Sequence, residues 1–263
     1  MNIGLKTIIC LTSQGASNLC DLLMLSKEDQ QKSQEAIVFI KKNKQILYAK
    51  FADIMDCPPT DKPTTLFMAG SPGAGKTEFS RNFNIGISSR LGIKQWAIRI
   101  DLDDIKTIIP VYNNKNSDIV QSAACIGVEK LFDYGLHKKQ NIILDGTFAK
   151  YELSCDNISR SLAKNREVGI IYMYQNPVLA WDFTKRREKI EGRSVPKDFF
   201  IKSLFAAKEN VNKAKERFGD KITLFVIEKD YLHRVKKAKF NVVSIDNYIK
   251  IPYNYKSLNE LLK

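Results

Sequence analysis

The chain has 263 residues, of which 44% are hydrophobic and 27% are charged, a composition typical of a globular protein with a full core. No apolar run is long enough to cross a bilayer, and the apolar N-terminus, interrupted by Lys6, lacks the cleavage pattern of a signal peptide. The five cysteines form no C-x-x-C pair and the two histidines lack metal-ligand spacing, which argues against a disulfide framework, a zinc site and a Ser-His-Asp hydrolase. We therefore expect a cytoplasmic protein with reduced thiols and no membrane association.

The formal net charge of +13 needs an explanation of its own. Much of it comes from lysine pairs spread along the chain, such as Lys41–Lys42, Lys138–Lys139 and Lys236–Lys237. Solvated helix faces, a phosphate-rich small ligand and nucleic-acid binding all fit this pattern. The charge alone does not choose among them.

The first predicted elements are helical. Between Ser26 and Met55, behind the possible cap "SKED", apolar residues recur at helical spacing: Ala36, Ile40, Leu47, Phe51 and Ile54. They predict one long helix or two. The segment "CPPTDKP", which starts at Cys57, breaks this pattern and marks a junction. We therefore divide the chain into an N-terminal helical extension, residues 1–60, and a core domain, residues 61–263.

A phosphate-binding loop follows the first predicted strand, "TTLFMA". The stretch "GSPGAGKT" has the spacing G-x-x-x-x-G-K-[ST] and precedes the predicted helix "TEFSRNF". Its glycines allow backbone conformations in which successive N–H groups point at an anion, Lys76 reaches the outer phosphates, and the Thr77 hydroxyl ligates Mg²⁺. The predicted nucleotide-binding residues are Gly70, Ser71, Pro72, Gly73, Ala74, Gly75, Lys76 and Thr77. A glycine-rich turn that binds nothing is the alternative, and the complete match between a strand and a helix argues against it.

Strands and helices alternate after the loop. The apolar runs "QWAIRI", "NIILDG", "GIIYMYQ" and "KITLFVIEK" are separated by segments with helical spacing. This order predicts an α/β fold of the P-loop NTPase type, with a mostly parallel sheet covered by helices on both faces. Ligands bind at the carboxyl ends of the strands in such sheets. This rule selects four residues that each follow a strand: Asp101, Asp103, Asp145 and Thr147.

Phosphoryl transfer requires a carboxylate that positions or deprotonates the acceptor hydroxyl. We assign this role to Asp103. Its alternative role is a helix cap, for which Asp101 and Asp104 are equally placed in "DLDD". Asp145 either holds Mg²⁺ through water or binds the acceptor, and the sequence leaves both open.

Three arginines in "KRREKIEGRSVP" are suited to close over phosphates during transfer: Arg186, Arg187 and Arg193. The alternative is a surface cluster whose charge is balanced by Glu188 and Glu191.

From about Thr65 to Asp230, the chain resembles the zeta toxins, P-loop kinases of toxin–antitoxin systems. The resemblance rests on "GSPGAGKT", the pair "DLD", the strand end "DGT" and the final "RSVP", in that order. It implies that Asp103 is the catalytic base, that Glu129 is an acceptor-binding acid, and that Asp145 and Thr147 lie at the acceptor site. It also implies that Arg186 or Arg187, together with Arg193, contacts phosphate. The reaction implied is phosphorylation of the sugar 3′-hydroxyl of UDP-N-acetylglucosamine with ATP and Mg²⁺, and an antitoxin protein is a possible partner.

Our leading hypothesis is therefore an ATP-dependent small-molecule kinase. A polynucleotide kinase is the second hypothesis because it uses a similar loop and aspartate, although the sequence shows no stripe of aromatic residues interleaved with lysines. A nucleotide-binding regulator without turnover is the third, and it predicts that Asp103 is dispensable. For the N-terminal extension, we expect either a structural role in the core or a position near the nucleotide cleft that restrains the enzyme.

Overall fold

The computed structural model describes residues 25–191, 194–232 and 234–263. A six-stranded sheet with the order β2-β3-β1-β4-β5-β6 lies at its centre. The strands are β1 (Thr64–Ala69), β2 (Ala97–Asp101), β3 (Asn141–Asp145), β4 (Glu167–Tyr174), β5 (Thr223–Lys229) and β6 (Val235–Lys239). Strands β1 to β5 are parallel, and β6 is antiparallel to β5. The predicted mostly parallel sheet is confirmed.

Helices connect the parallel strands and extend both ends of the fold. They are α1 (Lys27–Lys42), α2 (Lys44–Phe51), α3 (Lys76–Leu91), α4 (Leu102–Lys106), α5 (Gln121–His137), α6 (Tyr151–Leu162), α7 (Pro177–Glu191), α8 (Lys197–Phe218) and α9 (Tyr255–Leu261). Short 3₁₀ turns span Gly219–Lys221 and Ile245–Asn247. In the part of the chain that the structure describes, no helix combines the length and the apolar character needed to span a membrane.

The two faces of the sheet are covered by different helices. Alternate strand residues such as Phe67 and Ile142 join one core cluster with apolar residues of α5, α6 and α8. Their neighbours Leu66 and Ile143 face the other way and join a second cluster, which packs against aromatic side chains of α3. The strands are apolar on both faces because both are buried, which explains why they read as continuous hydrophobic runs.

The predicted N-terminal helices pack on α5. Ala36, Ile40 and Leu47 are at most 1% exposed and belong to the same core cluster as the sheet. The stripe ends earlier than predicted, because α2 stops at Phe51 and Ile54 is 44% exposed. Residues 1–24 of the predicted extension lie outside the described residues.

The predicted junction after α2 is anchored to the core domain. The buried side-chain amide of Gln140 donates hydrogen bonds to the carbonyls of Ala52 (3.1 Å) and Cys57 (2.7 Å). The backbone N–H of Thr60 donates to the Lys139 carbonyl at 3.0 Å. These bonds hold the segment against the residues that precede β3.

Candidate active site

The loop between β1 and α3 has the geometry that its sequence predicts. Gly70, Gly73 and Gly75 have φ angles of 136°, 73° and 78°, which L side chains rarely adopt. A Cβ at Gly70 would collide with the carbonyl of Met173, and one at Gly73 would collide with the carbonyl of Ala180. The loop thus requires glycine both for its backbone conformation and for its close packing.

Lys76 opens α3 and its side chain folds back over the loop. Its Nζ atom donates hydrogen bonds to the carbonyls of Gly70 (3.0 Å) and Ser71 (2.7 Å). The hydroxyl of Ser71 is buried and makes no hydrogen bond within the described residues. Buried polar groups are almost always paired in native proteins, so a hydroxyl of this kind in a phosphate-binding loop indicates a missing ligand. The loop can therefore offer an ammonium, a hydroxyl and a helix N-terminus to an anion.

The end of β3 brings its polar residues to this loop. The N–H of Gly70 donates to the carbonyl of Thr147 at 3.1 Å. The Asp145 side chain is 3% exposed and accepts hydrogen bonds from the Ser80 hydroxyl and from Arg99 Nη1, each at 3.0 Å. The predicted edge residues Asp145 and Thr147 therefore adjoin the phosphate-binding loop.

Arg99 organises the carboxylates at this edge. It forms ion pairs with Asp101 (2.7 Å), Asp104 and Asp145 (3.0 Å). Burial alone would lower the pKa of Arg99, but the three carboxylates outweigh it and the pKa is raised. The sequence interpretation missed Arg99, although a charged residue in the middle of the buried strand "AIRID" was an available signal.

The charge of Asp145 is costly in this position. Burial raises its pKa, and the nearby charge of Asp101 adds to that effect. The charges of Lys76 and Arg99 act in the opposite direction without cancelling it. The Asp145 carboxylate is buried and is bonded to Ser80 and Arg99, so it does not project into open solvent.

Asp103 lies in the first turn of α4. Asp101 caps this helix, accepting a hydrogen bond from the Asp103 N–H at 2.9 Å, so the capping role falls to Asp101. The Asp103 carboxylate lies 3.3 Å from Nζ of Lys106. Lys106 is buried, which lowers its pKa, and it donates a hydrogen bond to the Ser117 hydroxyl at 2.5 Å. A fixed ammonium thus adjoins the predicted catalytic carboxylate.

Glu129 lies in the middle of α5, where its charge acts on Arg160 of α6. Burial lowers the pKa of Arg160 and the Glu129 carboxylate partly offsets this. Within the described residues, no hydrogen bond or ion pair joins Glu129 to the phosphate-binding loop or to Asp145. Its role at an acceptor site stays a prediction.

Helix α7 packs on the loop through its first turns, because Gly73 adjoins Ala180 and Thr184. Arg187 continues this face of the helix at the spacing 180, 184, 187, whereas Arg186 lies over the ring of Phe183 at 5.4 Å. Both arginines are exposed. Glu188 pairs with Lys185. Arg193, the third predicted phosphate contact, lies outside the described residues.

Comparisons with known proteins agree with this geometry. The zeta toxin family model matches residues 48–240. A structure of the PezAT chromosomal toxin–antitoxin system of Streptococcus pneumoniae aligns with a TM-score of 0.59 and 17% identity, over 87% of each chain. A structure of AvrRxo1-ORF1:-ORF2 with ATP aligns with a TM-score of 0.53 and 15% identity, over 89% of this chain and 75% of that one. No curated protein sequence matches the chain significantly. These structural likenesses establish the shared fold, and the family model, which covers most of the core domain, establishes that the chain belongs to the zeta toxin family.

Proposed function

We propose that the protein is an ATP-dependent kinase that transfers the γ-phosphoryl group of ATP to a hydroxyl of a nucleotide sugar such as UDP-N-acetylglucosamine. The observation that carries this proposal is the hydrogen bond between Gly70 and Thr147, which joins the phosphate-binding loop to the strand end predicted to bind the acceptor. This bond supports a shared site for donor and acceptor at one edge of the sheet, as in-line transfer requires.

The loop residues fit a nucleoside triphosphate. The backbone of Gly70 to Gly75, whose three glycines have positive φ angles, supplies N–H groups. The Ser71 hydroxyl, which makes no hydrogen bond within the described residues, supplies a further donor. Lys76 can exchange its bonds to loop carbonyls for bonds to the outer phosphates. Mg²⁺, a hard cation that prefers oxygen ligands, would be held by the Thr77 hydroxyl and by phosphate oxygens, and when bound it would neutralise charge on the transferring group.

Asp103 is the proposed catalytic base. Its side chain is 31% exposed, so an acceptor hydroxyl can reach it, and its carboxylate lies 3.3 Å from the ammonium of Lys106. The acceptor oxygen forms its new bond to the γ-phosphorus, the bond to the β-phosphate oxygen breaks, and the hydroxyl proton passes to Asp103. ADP and the phosphorylated sugar nucleotide are the products.

The acceptor assignment rests on family membership and on charge. We propose that Asp145, Thr147 and Glu129 contribute to the acceptor site, and that Arg187 and Arg193 stabilise the transferring phosphoryl group. The net charge of +13 would draw a diphosphate-bearing acceptor to the protein. Because one of the aligned structures is of a toxin–antitoxin system, we also propose that a second protein restrains this kinase.

Incubation with γ-labelled ATP and one of two acceptors tests the function. We expect label on UDP-N-acetylglucosamine and none on an oligonucleotide with a free 5′-hydroxyl, and mass spectrometry of the product should place the phosphate on the sugar. Lys76→Ala should abolish transfer, and Lys164→Ala, which changes an exposed lysine, is the control. Label on the oligonucleotide alone would instead identify a polynucleotide kinase, and ATP binding without transfer to either acceptor would contradict the proposal.

A further inference from the structure

A lysine that the sequence interpretation did not select lies against the second half of the phosphate-binding loop. Lys229 ends β5 at the carboxyl edge of the sheet, and its side chain is 5% exposed. A Cβ built on Gly75 would lie 2.6 Å from the Nζ atom of Lys229, so the ammonium touches the backbone of the loop. The same Nζ atom lies 3.7 Å from the carboxylate of Glu78 in the first turn of α3.

The surroundings of Lys229 leave the hydrogen-bonding capacity of its ammonium unused within the described residues. Lys229 follows Phe225 and Ile227 on one face of β5, and this face packs against aromatic residues of α3. Within the described residues, Nζ makes no hydrogen bond, and its one ion-pair partner, Glu78, is 66% exposed and too distant for a hydrogen bond. The Lys229 ammonium therefore keeps the capacity to donate hydrogen bonds to a ligand.

The ammonium groups of Lys76 and Lys229 lie beside opposite ends of the loop. Lys76 donates to the carbonyls of Gly70 and Ser71 at the start of the loop, whereas Lys229 lies beside Gly75 and Glu78 at its end. In phosphate-binding loops of this spacing the lysine within the motif reaches the β- and γ-phosphates, and the backbone cradles the α- and β-phosphates. The end of the loop beside the Lys229 ammonium, away from the Lys76 ammonium, is therefore the end nearer the nucleoside.

We propose that Lys229 is a second cationic contact of the nucleotide site, which binds the phosphate next to the nucleoside. The proposal rests on the nucleotide-binding part of the proposed function and not on the identity of the acceptor. Without nucleotide, the Lys229 ammonium is paired with Glu78. When a nucleotide binds, its inner phosphate takes the place of the Glu78 carboxylate and accepts a stronger, charge-assisted hydrogen bond.

The backbone after Lys229 is organised in advance for this role. The carboxylate of Asp230 accepts hydrogen bonds from the N–H groups of Leu232 (2.8 Å) and Arg234 (2.9 Å). The buried amide of Gln175 donates to the Asp230 carbonyl at 2.7 Å and ties the end of β4 to the end of β5. The strand end that carries Lys229 is thus fixed before a nucleotide arrives, which lowers the entropy lost on binding.

Nucleotide binding to Lys229→Met tests the proposal by isothermal titration of the full chain with ATP, ADP and AMP. We expect the affinity for ADP and for AMP to fall about tenfold to a hundredfold, the effect of losing one charged hydrogen bond. Lys76→Met should weaken ATP much more than AMP. Lys236→Met, which changes an exposed lysine on β6, should bind all three nucleotides as the wild type does.

A thermal melt of the same variants separates binding from folding. Methionine fills the space of the lysine stem without the charge, so Lys229→Met should melt at or above the wild-type temperature without ligand. A lower melting temperature with unchanged affinity for AMP and ADP would make Lys229 structural and overturn the proposal, while leaving the kinase assignment intact. If the wild-type protein binds nucleotide but transfers no phosphate, the proposal for Lys229 still stands and only the proposed reaction is contradicted. A wild-type protein that binds no nucleotide would overturn both.

Discussion

The Nη1 atom of Arg99 lies 3.0 Å from Oδ2 of Asp145, and this pair joins β2 to β3 at the edge of the sheet where the phosphate-binding loop lies. The Ser80 hydroxyl reaches the same carboxylate from α3. Three elements of the site therefore meet at one carboxylate, and the arginine keeps it in place.

Arg99→Met should destabilise the fold by about 3–5 kcal/mol, because it leaves Asp101, Asp104 and Asp145 without their shared partner. Urea denaturation measures the change, with Arg90→Met on the exposed face of α3 as the matched control. Adding Asp145→Asn to Arg99→Met should restore part of the loss. If Arg99→Met is as stable as Arg90→Met, the network contributes nothing to the fold.

The raised pKa of Asp145 predicts a pH dependence of stability. The folded state holds this proton more tightly than the unfolded state, so raising the pH from about 4 through the folded-state pKa removes a stabilising contribution. The free energy of unfolding of the wild type, relative to that of Asp145→Asn, should therefore decrease as the pH rises. Urea denaturation of both proteins between about pH 4 and pH 7 measures it, and a difference that grows with pH would contradict the prediction.

Asp103→Asn preserves the shape of the proposed base and removes its charge. We expect turnover to fall by about two to four orders of magnitude with ATP affinity unchanged, because the variant loses proton transfer and keeps the loop intact. Steady-state kinetics and ATP titration separate the two effects, and Asp156→Asn, on the exposed face of α6, serves as the control. Lost ATP affinity would mean that Asp103 serves the metal or the fold, and full activity would favour a regulator without turnover.

The positions of two adjacent arginines on helix α7 predict different roles for them. Arg187 lies on the face that packs on Gly73 through Ala180 and Thr184, whereas Arg186 stacks on Phe183. Arg187→Ala should therefore lower turnover by at least about tenfold and weaken ATP binding less, while Arg186→Ala stays near the wild type. If both variants lose turnover equally, the two arginines have only a general electrostatic role. Arg193→Ala should behave as Arg187→Ala if the predicted phosphate contact holds.

The N-terminal helices should be required for folding. Leu47→Ala removes a side chain with no exposed surface that touches the core cluster, so we expect a loss of about 2–5 kcal/mol in urea denaturation. Deletion of residues 1–58 should leave the chain insoluble or unfolded for the same reason. A soluble truncated protein with raised activity would instead support the restraining role. A contact between α2 and the site could explain that result. Lys50 of α2 lies 3.4 Å from the hydroxyl of Thr107, and Thr107 directly follows the helix that carries Asp103.

Features that depend on neighbouring residues could be predicted from the sequence. The loop motif identified the phosphate-binding residues Gly70 to Thr77, and the apolar runs predicted five strands of the sheet. Strand β6 was missed because all its residues are exposed and it carries no alternating pattern. Arg99 and Asp145 are 46 residues apart, so their pairing depends on strand order, which no local pattern reveals. The choice between Arg186 and Arg187 required the direction in which α7 faces the loop.

Strand β6 also has a consequence for the behaviour of the protein at high concentration. It forms one open edge of the sheet, where unpaired backbone groups invite the strands of neighbouring molecules. Lys236, Lys237 and Lys239 lie on this edge strand, and lysines on an edge strand oppose the addition of a strand from another molecule. We therefore expect part of the positive charge that composition left unexplained to keep the molecules apart, whether or not any ligand is bound.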